Sequence, residues 1–272
     1  MKKVRLIALD VDGTLLDDQK RLPASNREAL NEAVRRGILV AIASGRMTPT
    51  IEPIQDLLGI DCLVIAYNGG KVVSHRAKER CVISHTPVPA LISDHFIDYS
   101  KANGYLLNFY HEDRLFAEDG PSRRPFMEIY SKRTGARYEI EKDLARFRGM
   151  EPTKLILLAE PATRDRLHDE KRAELGVRAA ITKSDPEYLE IMAPGVDKGT
   201  ALLEIARHLG LSLEEVLAIG DADNDIGMLQ AAGIGVAVRN AKPHVQAAAR
   251  EVTDLTNNEG AVAEAVRRFA LL

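Results

Sequence analysis

Five short runs of almost wholly apolar residues, VRLIAL (4–9), ILVAIAS (38–44), CLVIA (62–66), VLAIG (216–220) and IGVAV (234–238), leave this chain few folds to choose from. A strand with one wet face alternates polar and apolar positions, so runs without alternation suit strands covered on both faces. Stretches of helical spacing separate them. Residues 25–37 carry Ala29, Leu30, Ala33 and Val34 as an apolar stripe, with Ser25 and Glu28 in capping-box spacing and Gly37 where a C-cap belongs. Further helices are expected over 48–58, 199–210, 226–232, 243–249 and from Glu259 onward. Strand and helix in alternation predict an α/β fold, a doubly wound (Rossmann-like) parallel sheet with helices on both faces.

The rhythm breaks in the middle. After Asn68-Gly69-Gly70, segments such as GYLLNFY, RLFAE, KLILLAE and YLEIMA have strand character without regular βα alternation. We expect residues 1–85 and 189–272 to form the core and residues 86–188 a separate inserted α+β domain, large enough for its own hydrophobic centre.

Composition narrows the function classes. Net charge is −3, and basic residues gather only in pairs such as Arg35-Arg36 and Arg123-Arg124, so no field favours nucleic acid or an anionic membrane. No apolar run approaches membrane-spanning length, and the apolar start is interrupted by Arg5 and stopped by Asp10, too early for a signal sequence. Cys62 and Cys81 lack CxxC spacing and are expected to fill core, and the seven histidines show no zinc-site spacing. A cytoplasmic protein is expected, a monomer or small homo-oligomer whose partner is a small molecule.

The first strand ends in LDVDGTLLD, which sets Asp10 and Asp12 two positions apart before Gly13 and Thr14. Carboxylates that close repel, so one must take up a proton or a cation must stand between them. Three further polar stretches occupy strand ends or helix starts: Ser44-Gly45-Arg46, Asp197-Lys198-Gly199-Thr200, and Gly220-Asp221-Ala222-Asp223-Asn224-Asp225. In open parallel sheets ligands bind beyond the strands' carboxyl ends, where strand order reverses. Asp10, Asp12 and Asp221 would converge there around a hard divalent cation, Mg²⁺ being expected. An EF-hand reading fails, because Ile226 and Ala232 stand where its Gly and Glu belong, and GxGxxG and Walker A patterns are absent.

These four motifs, in this order and with an insertion between the second and third, resemble the haloacid dehalogenase superfamily. The spelling of the motifs and the YNGG turn are similar to its Cof-type sugar-phosphatase branch, across essentially the whole chain. The resemblance implies that the insert is a cap setting substrate specificity. It implies Asp10 as nucleophile, forming an aspartyl-phosphate, and Asp12 as the acid and base that protonates the leaving alkoxide and then activates water, a role that needs its pKa raised towards neutrality by the adjacent carboxylate. Metal ligands would be Asp10, the backbone carbonyl of Asp12, and Asp221. Phosphate would be bound by Val11, Ser44, Gly45, Lys198 and Asn224, with Asp225, Arg46 and Asn68 in support.

The expected function is Mg²⁺-dependent hydrolysis of small phosphorylated metabolites, sugar phosphates foremost. Two alternatives stand at this stage. A phosphomutase or phosphotransferase would share the aspartyl-phosphate but hand it to a sugar. A receiver-type signalling or sensor module would keep its phosphate and has no use for a carboxylate at Asp12. Asp17 and Asp18 read as turn residues of a short flap, and Asp223 as solvated.

Overall fold

The first strand, β1 (Leu6–Asp10), is buried at every position, as the apolar run LIAL requires, and Asp10 at its end shares that burial. A computed structural model describes residues 3–74 and 81–271 of the chain. Helix α1 (Ala24–Arg35) follows and buries Asn26, Ala29, Leu30 and Ala33. It begins ahead of the expected cap: Pro23 occupies the N-cap position, so Ser25 lies inside the first turn and closes no capping box. Next come β2 (Leu39–Ala43) and α2 (Thr48–Leu58), the helix opening with Pro49 and ending on Gly59 at φ +68°. Strand β3 (Leu63–Ala66) is again fully buried, and β4 (Lys71–Val73) and β5 (Val82–His85) complete this part.

The middle of the chain supplies α3 (Ala90–Asn103), β6 (Leu106–His111), β7 (Arg114–Glu118), α4 (Arg124–Thr134), β8 (Tyr138–Glu141), β9 (Lys154–Leu158), α5 (Pro161–Leu175), β10 (Ala180–Lys183) and β11 (Tyr188–Met192). The regular rhythm then resumes with α6 (Lys198–His208), β12 (Val216–Gly220), α7 (Ile226–Ala231), β13 (Ile234–Ala237), α8 (Pro243–Ala248), β14 (Glu251–Val252) and α9 (Ala261–Phe269). Helix α6 opens on a complete capping box between Asp197 and Thr200, which fixes where Lys198 leaves the backbone.

Two compact units result. One takes Met1–Ser84 and Asp197–Leu272, the other His85–Val196. The second runs beyond the expected return at 189, because β11 hydrogen-bonds antiparallel to β9 and β10. In the first unit, eight strands lie in the order β14-β13-β12-β1-β2-β3-β4-β5. All neighbours from β14 to β3 run parallel, and β4 turns back antiparallel on β3. Strand β1 therefore stands where the winding reverses, with β2 on one side and β12 on the other. Asp10 is in register with Ala43, and Leu9 with Ile219, so Ser44 and Asp221 follow the strand ends that flank Asp10.

The second unit holds a six-stranded sheet in the order β10-β11-β9-β6-β7-β8, antiparallel except for β7 beside β8. Alternate residues Leu107, Phe109, Leu155, Leu157, Leu189 and Ile191 pack with Ile92, Phe96 and Ile97 of α3 and Leu167 and Leu175 of α5. Each such side chain taken from water contributes about 1.5–3 kcal/mol. The intervening positions include Asn108, Lys154 and Glu190, with Lys154 and Glu190 paired at 2.8 Å. Of the cysteines, Cys62 is buried as expected; Cys81 is exposed, at the entry to β5.

Candidate active site

Beyond the carboxyl ends of β1, β2 and β12, side chains from four separate stretches of the first unit meet. Asp10 ends β1 and is 6% exposed; Lys198, at the first position of α6, is wholly buried. The Lys198 ammonium donates to Asp10 Oδ1 and to Asp225 Oδ1, each at 2.6 Å. Asp225 Oδ2 accepts from the backbone N–H groups of Asp221 and Ala222, both at 3.0 Å. With both oxygens engaged, Asp225 orients Lys198 and the turn after β12.

Asp10, Asp221 and Asp225 each offer a carboxylate oxygen within 4.8 Å of the others. Thr14 Oγ1 donates to Asp221 Oδ1 at 2.6 Å. One ammonium thus stands among three carboxylates, and the pKa directions follow from that imbalance. Burial, helped by Asp225 and Asp221, raises the Asp10 carboxyl well above its ordinary value against the pull of Lys198. Burial and the charge of Asp225 push Asp221 up to about 6, although the Thr14 hydroxyl works the other way. Burial disfavours the Lys198 charge, but Asp10 and Asp225 outweigh it and raise the lysine above its ordinary value. Asp10, Asp221 and Asp225 form an all-oxygen set with excess negative charge, the kind of donor set that suits a hard divalent cation.

Asp12 has a different environment. Arg46 grips it with two parallel bonds, Nε to Oδ2 at 2.8 Å and Nη2 to Oδ1 at 2.7 Å, and Lys20 Nζ reaches Oδ1 at 2.7 Å. Burial opposes ionisation there, but Arg46 and then Lys20 outweigh it, and the pKa lies below the ordinary value, not raised by Asp10 as the acid role predicts. The two aspartates of the opening motif are therefore separated electrostatically: one is in carboxylate company, the other between cations.

The remaining expected residues line the same strand ends. Ser44 is buried, with its Oγ accepting from the Arg46 N–H at 3.2 Å. A Cβ on Gly45 would lie 3.0 Å from Asn68 Oδ1, and that oxygen accepts from Asn224 Nδ2 at 2.9 Å. Val11 buries its side chain, and its carbonyl accepts from Leu15 and Leu16, which closes the turn. Gly13 lies at φ +87°, and a Cβ there would stand 2.5 Å from Asp221 Oδ2. Asp223 is less free than its solvated reading: it pairs with Lys242 at 3.2 Å and with His244. Arg123 and Arg124 of the second unit are tied to Glu118 and Asp119.

Three participants escaped the sequence reading. Thr14 holds Asp221, Asn240 Nδ2 donates to the Gly13 carbonyl at 2.8 Å, and Lys20 reaches Asp12. Only Thr14 had a signal, its place inside the first motif; Lys20 and Asn240 carry no spacing that marks them.

Comparison with known proteins identifies the family. The family model of haloacid dehalogenase-like hydrolases matches residues 7–266. The chain is 31% identical over 271 residues to the 5-amino-6-(5-phospho-D-ribitylamino)uracil phosphatase YcsE of Bacillus subtilis, covering 98% of this chain and 96% of that one. Among solved structures, a haloacid dehalogenase-like hydrolase from Bacteroides thetaiotaomicron matches with a TM-score of 0.87 at 29% identity, over 98% of this chain and 99% of that chain. The subclass IIB sugar phosphatase BT4131 matches with a TM-score of 0.84 at 26% identity, over 99% of this chain and 100% of that chain.

Proposed function

The chain belongs to the haloacid dehalogenase-like hydrolases and is one of their phosphatases, and from that premise we propose that it hydrolyses phosphate monoesters of small polyhydroxylated metabolites, sugar phosphates foremost, through an aspartyl-phosphate on Asp10. The observation that carries the reading is the convergence at the end of β1: Asp10 lies against Lys198 in a carboxylate cluster with Asp221 and Asp225, and Asp12, two residues on, is in the grip of Arg46. The phosphorylated ribityl compound in one relative's name and the sugar substrate class in another's support the choice of ester. The insert His85–Val196 is the proposed cap, the part that sets specificity.

In this mechanism a carboxylate oxygen of Asp10 attacks phosphorus, and the P–O bond to the sugar breaks as the new P–O bond forms. Asp12, whose ionised form Arg46 and Lys20 favour in the free site, must take up a proton as the phosphorylated substrate binds, and it delivers that proton to the departing alkoxide. It then takes a proton from water, whose oxygen attacks the aspartyl-phosphate and releases inorganic phosphate with Asp10 restored. Lys198 offsets charge on the transferring group from a helix start, while Ser44, Gly45, Asn224 and the Val11 N–H receive phosphate oxygens. Asn68 and Asp225 hold Asn224 and Lys198 in place. Asp10, the Asp12 carbonyl and Asp221 would hold Mg²⁺, which when bound neutralises the carboxylates and polarises the phosphoryl oxygens. Asp12 argues for turnover over a module that stores its phosphate.

The test is phosphate release from a panel of sugar phosphates, nucleotides, pyridoxal phosphate and p-nitrophenyl phosphate, with Mg²⁺ and with EDTA. Mg²⁺-dependent release from sugar phosphates, abolished by Asp10→Asn, is expected. Asp12→Asn should accumulate a phosphoenzyme that hydroxylamine cleaves. Absence of release from every ester with Mg²⁺ present would overturn the reading.

A further inference from the structure

The flap between the first motif and α1 is built more firmly than an exposed loop requires. Lys20 has φ +60°, in the left-handed region that residues with a side chain enter at a cost. Asp17, 8% exposed, encloses that turn: its Oδ1 accepts from the Gln19 and Arg21 N–H groups at 2.9 and 2.8 Å, and its Oδ2 from Arg21 Nε at 2.8 Å. Backbone bonds close the turn twice more, Asp17 N–H to Arg21 carbonyl and Lys20 N–H to Asp17 carbonyl, both 2.9 Å. The flap is then fastened to the rest of the unit by asparagines. Asn26 Nδ2 donates to the Leu15 carbonyl at 3.0 Å, Asn257 Nδ2 to the Leu16 carbonyl at 3.1 Å and to Asp18 Oδ1 at 3.0 Å. Asn258 exchanges two bonds with Asp18, each 3.0 Å.

The product of this construction is one contact, the Lys20 ammonium 2.7 Å from Asp12 Oδ1, the oxygen that Arg46 Nη2 also holds at 2.7 Å. The Lys20 side chain is 59% exposed, and an ion pair of that kind adds little to stability. A strained backbone and a double-closed turn are more than such a pair needs. A carboxylate that must present one oxygen to an ester bond, however, gains from donors approaching on more than one line. We propose that Lys20 is a positioning residue, fixing the Asp12 carboxylate jointly with Arg46 so that it meets the leaving oxygen. The proposal rests on the acid and base role of Asp12.

Kinetics of Lys20→Met and Lys20→Arg separate the possibilities, using the best sugar phosphate of the panel and p-nitrophenyl phosphate. Protonation of the leaving group contributes about 10²–10⁴-fold for an alkoxide and far less for a nitrophenolate. Lys20→Met should lower the single-turnover rate of phosphoenzyme formation from the sugar phosphate about tenfold or more and from p-nitrophenyl phosphate by less than about threefold, with KM nearly unchanged. Lys20→Arg should recover part of the loss. In an Asp12→Asn background Lys20→Met should have no further effect. Equal losses in phosphoenzyme formation from both esters, a rise in KM on both with that rate kept, or an additive loss in the Asp12→Asn background would each overturn the proposal. Asp12→Asn measured alone tests the underlying reading: if its phosphoenzyme formation fails to discriminate between the two esters, the role of Asp12 falls and that of Lys20 with it.

Discussion

The Lys198 ammonium lies 2.6 Å from Asp10 Oδ1, a residue 188 positions away in sequence, and both side chains are buried. The pair joins the start of α6 to the end of β1, and Asp225 shares the same ammonium. Lys198→Met would leave two buried carboxylates facing each other. Removing one partner of a buried pair costs about 3–5 kcal/mol, so denaturant unfolding without Mg²⁺ should show a loss of that size. Phosphatase activity should be lost with it. Unchanged stability would mean that the carboxylates are already protonated.

Asp221 sets the metal and pH behaviour. Its folded pKa of about 6 lies above the ordinary 3.8, so the folded chain binds this proton more tightly than the unfolded one. The metal-free protein should therefore lose stability as pH rises from about 4 to above 6. Each pKa unit corresponds to 1.36 kcal/mol, which bounds the effect at about 3 kcal/mol. Asp221→Asn keeps an acceptor for Thr14 and removes the charge. It should melt higher than the wild type at pH 7.5 in EDTA and equally at pH 4. With saturating Mg²⁺ the order should reverse, since only the wild type gains from binding. A variant that never exceeds the wild type in EDTA would refute the assignment.

Gly13 tests the approach of the flap to Asp221. Its φ of +87° and the 2.5 Å from an added Cβ to Asp221 Oδ2 both exclude a side chain. Gly13→Ala should cost about 1–3 kcal/mol from backbone strain alone and weaken Mg²⁺ binding, measured by titration calorimetry, because Asp221 must move. Wild-type Mg²⁺ affinity in this variant would show that Asp221 is not a ligand.

The second unit carries an independent pH dependence. His95 has Lys171 Nζ 3.1 Å from its Nε2 and stacks on Tyr99. Burial and then the Lys171 charge lower its pKa below 6.5, against the carboxylates of Glu174 and Asp98. The folded chain thus binds this proton less tightly than the unfolded one, so stability should fall as pH drops through 6.5. His95→Phe, which keeps a ring for stacking, should flatten that slope in thermal melts between pH 7 and 5. An unaltered slope would locate the dependence elsewhere.

The core of this architecture was legible because it depends on local spelling. All-apolar runs such as LIAL and VLAIG suit strands covered on both faces, and motifs at their ends reach the reversal point by topology alone. What escaped depends on contacts that spelling does not carry. Strand β14 is two residues long and exists by pairing with β13. Ser25 looked like a helix cap, but Pro23, with its fixed φ, starts the helix earlier. Lys20 reads as one lysine in a polar loop, and only the turn made by Asp17 directs it to Asp12.

Strand β1 is an interior strand of the finished sheet, flanked by β2 and β12, yet about 170 residues of synthesis separate Ala43, the end of one partner, from Val216, the start of the other. On the ribosome, β2 and β3 emerge soon after β1, the insert follows, and β12 comes last. Until then one side of a wholly apolar strand is an open edge, the kind of surface that recruits other chains. Yield in recombinant expression should accordingly depend on how quickly the final quarter of the chain is translated, and fragments ending before Val216 should need chaperones to stay in solution.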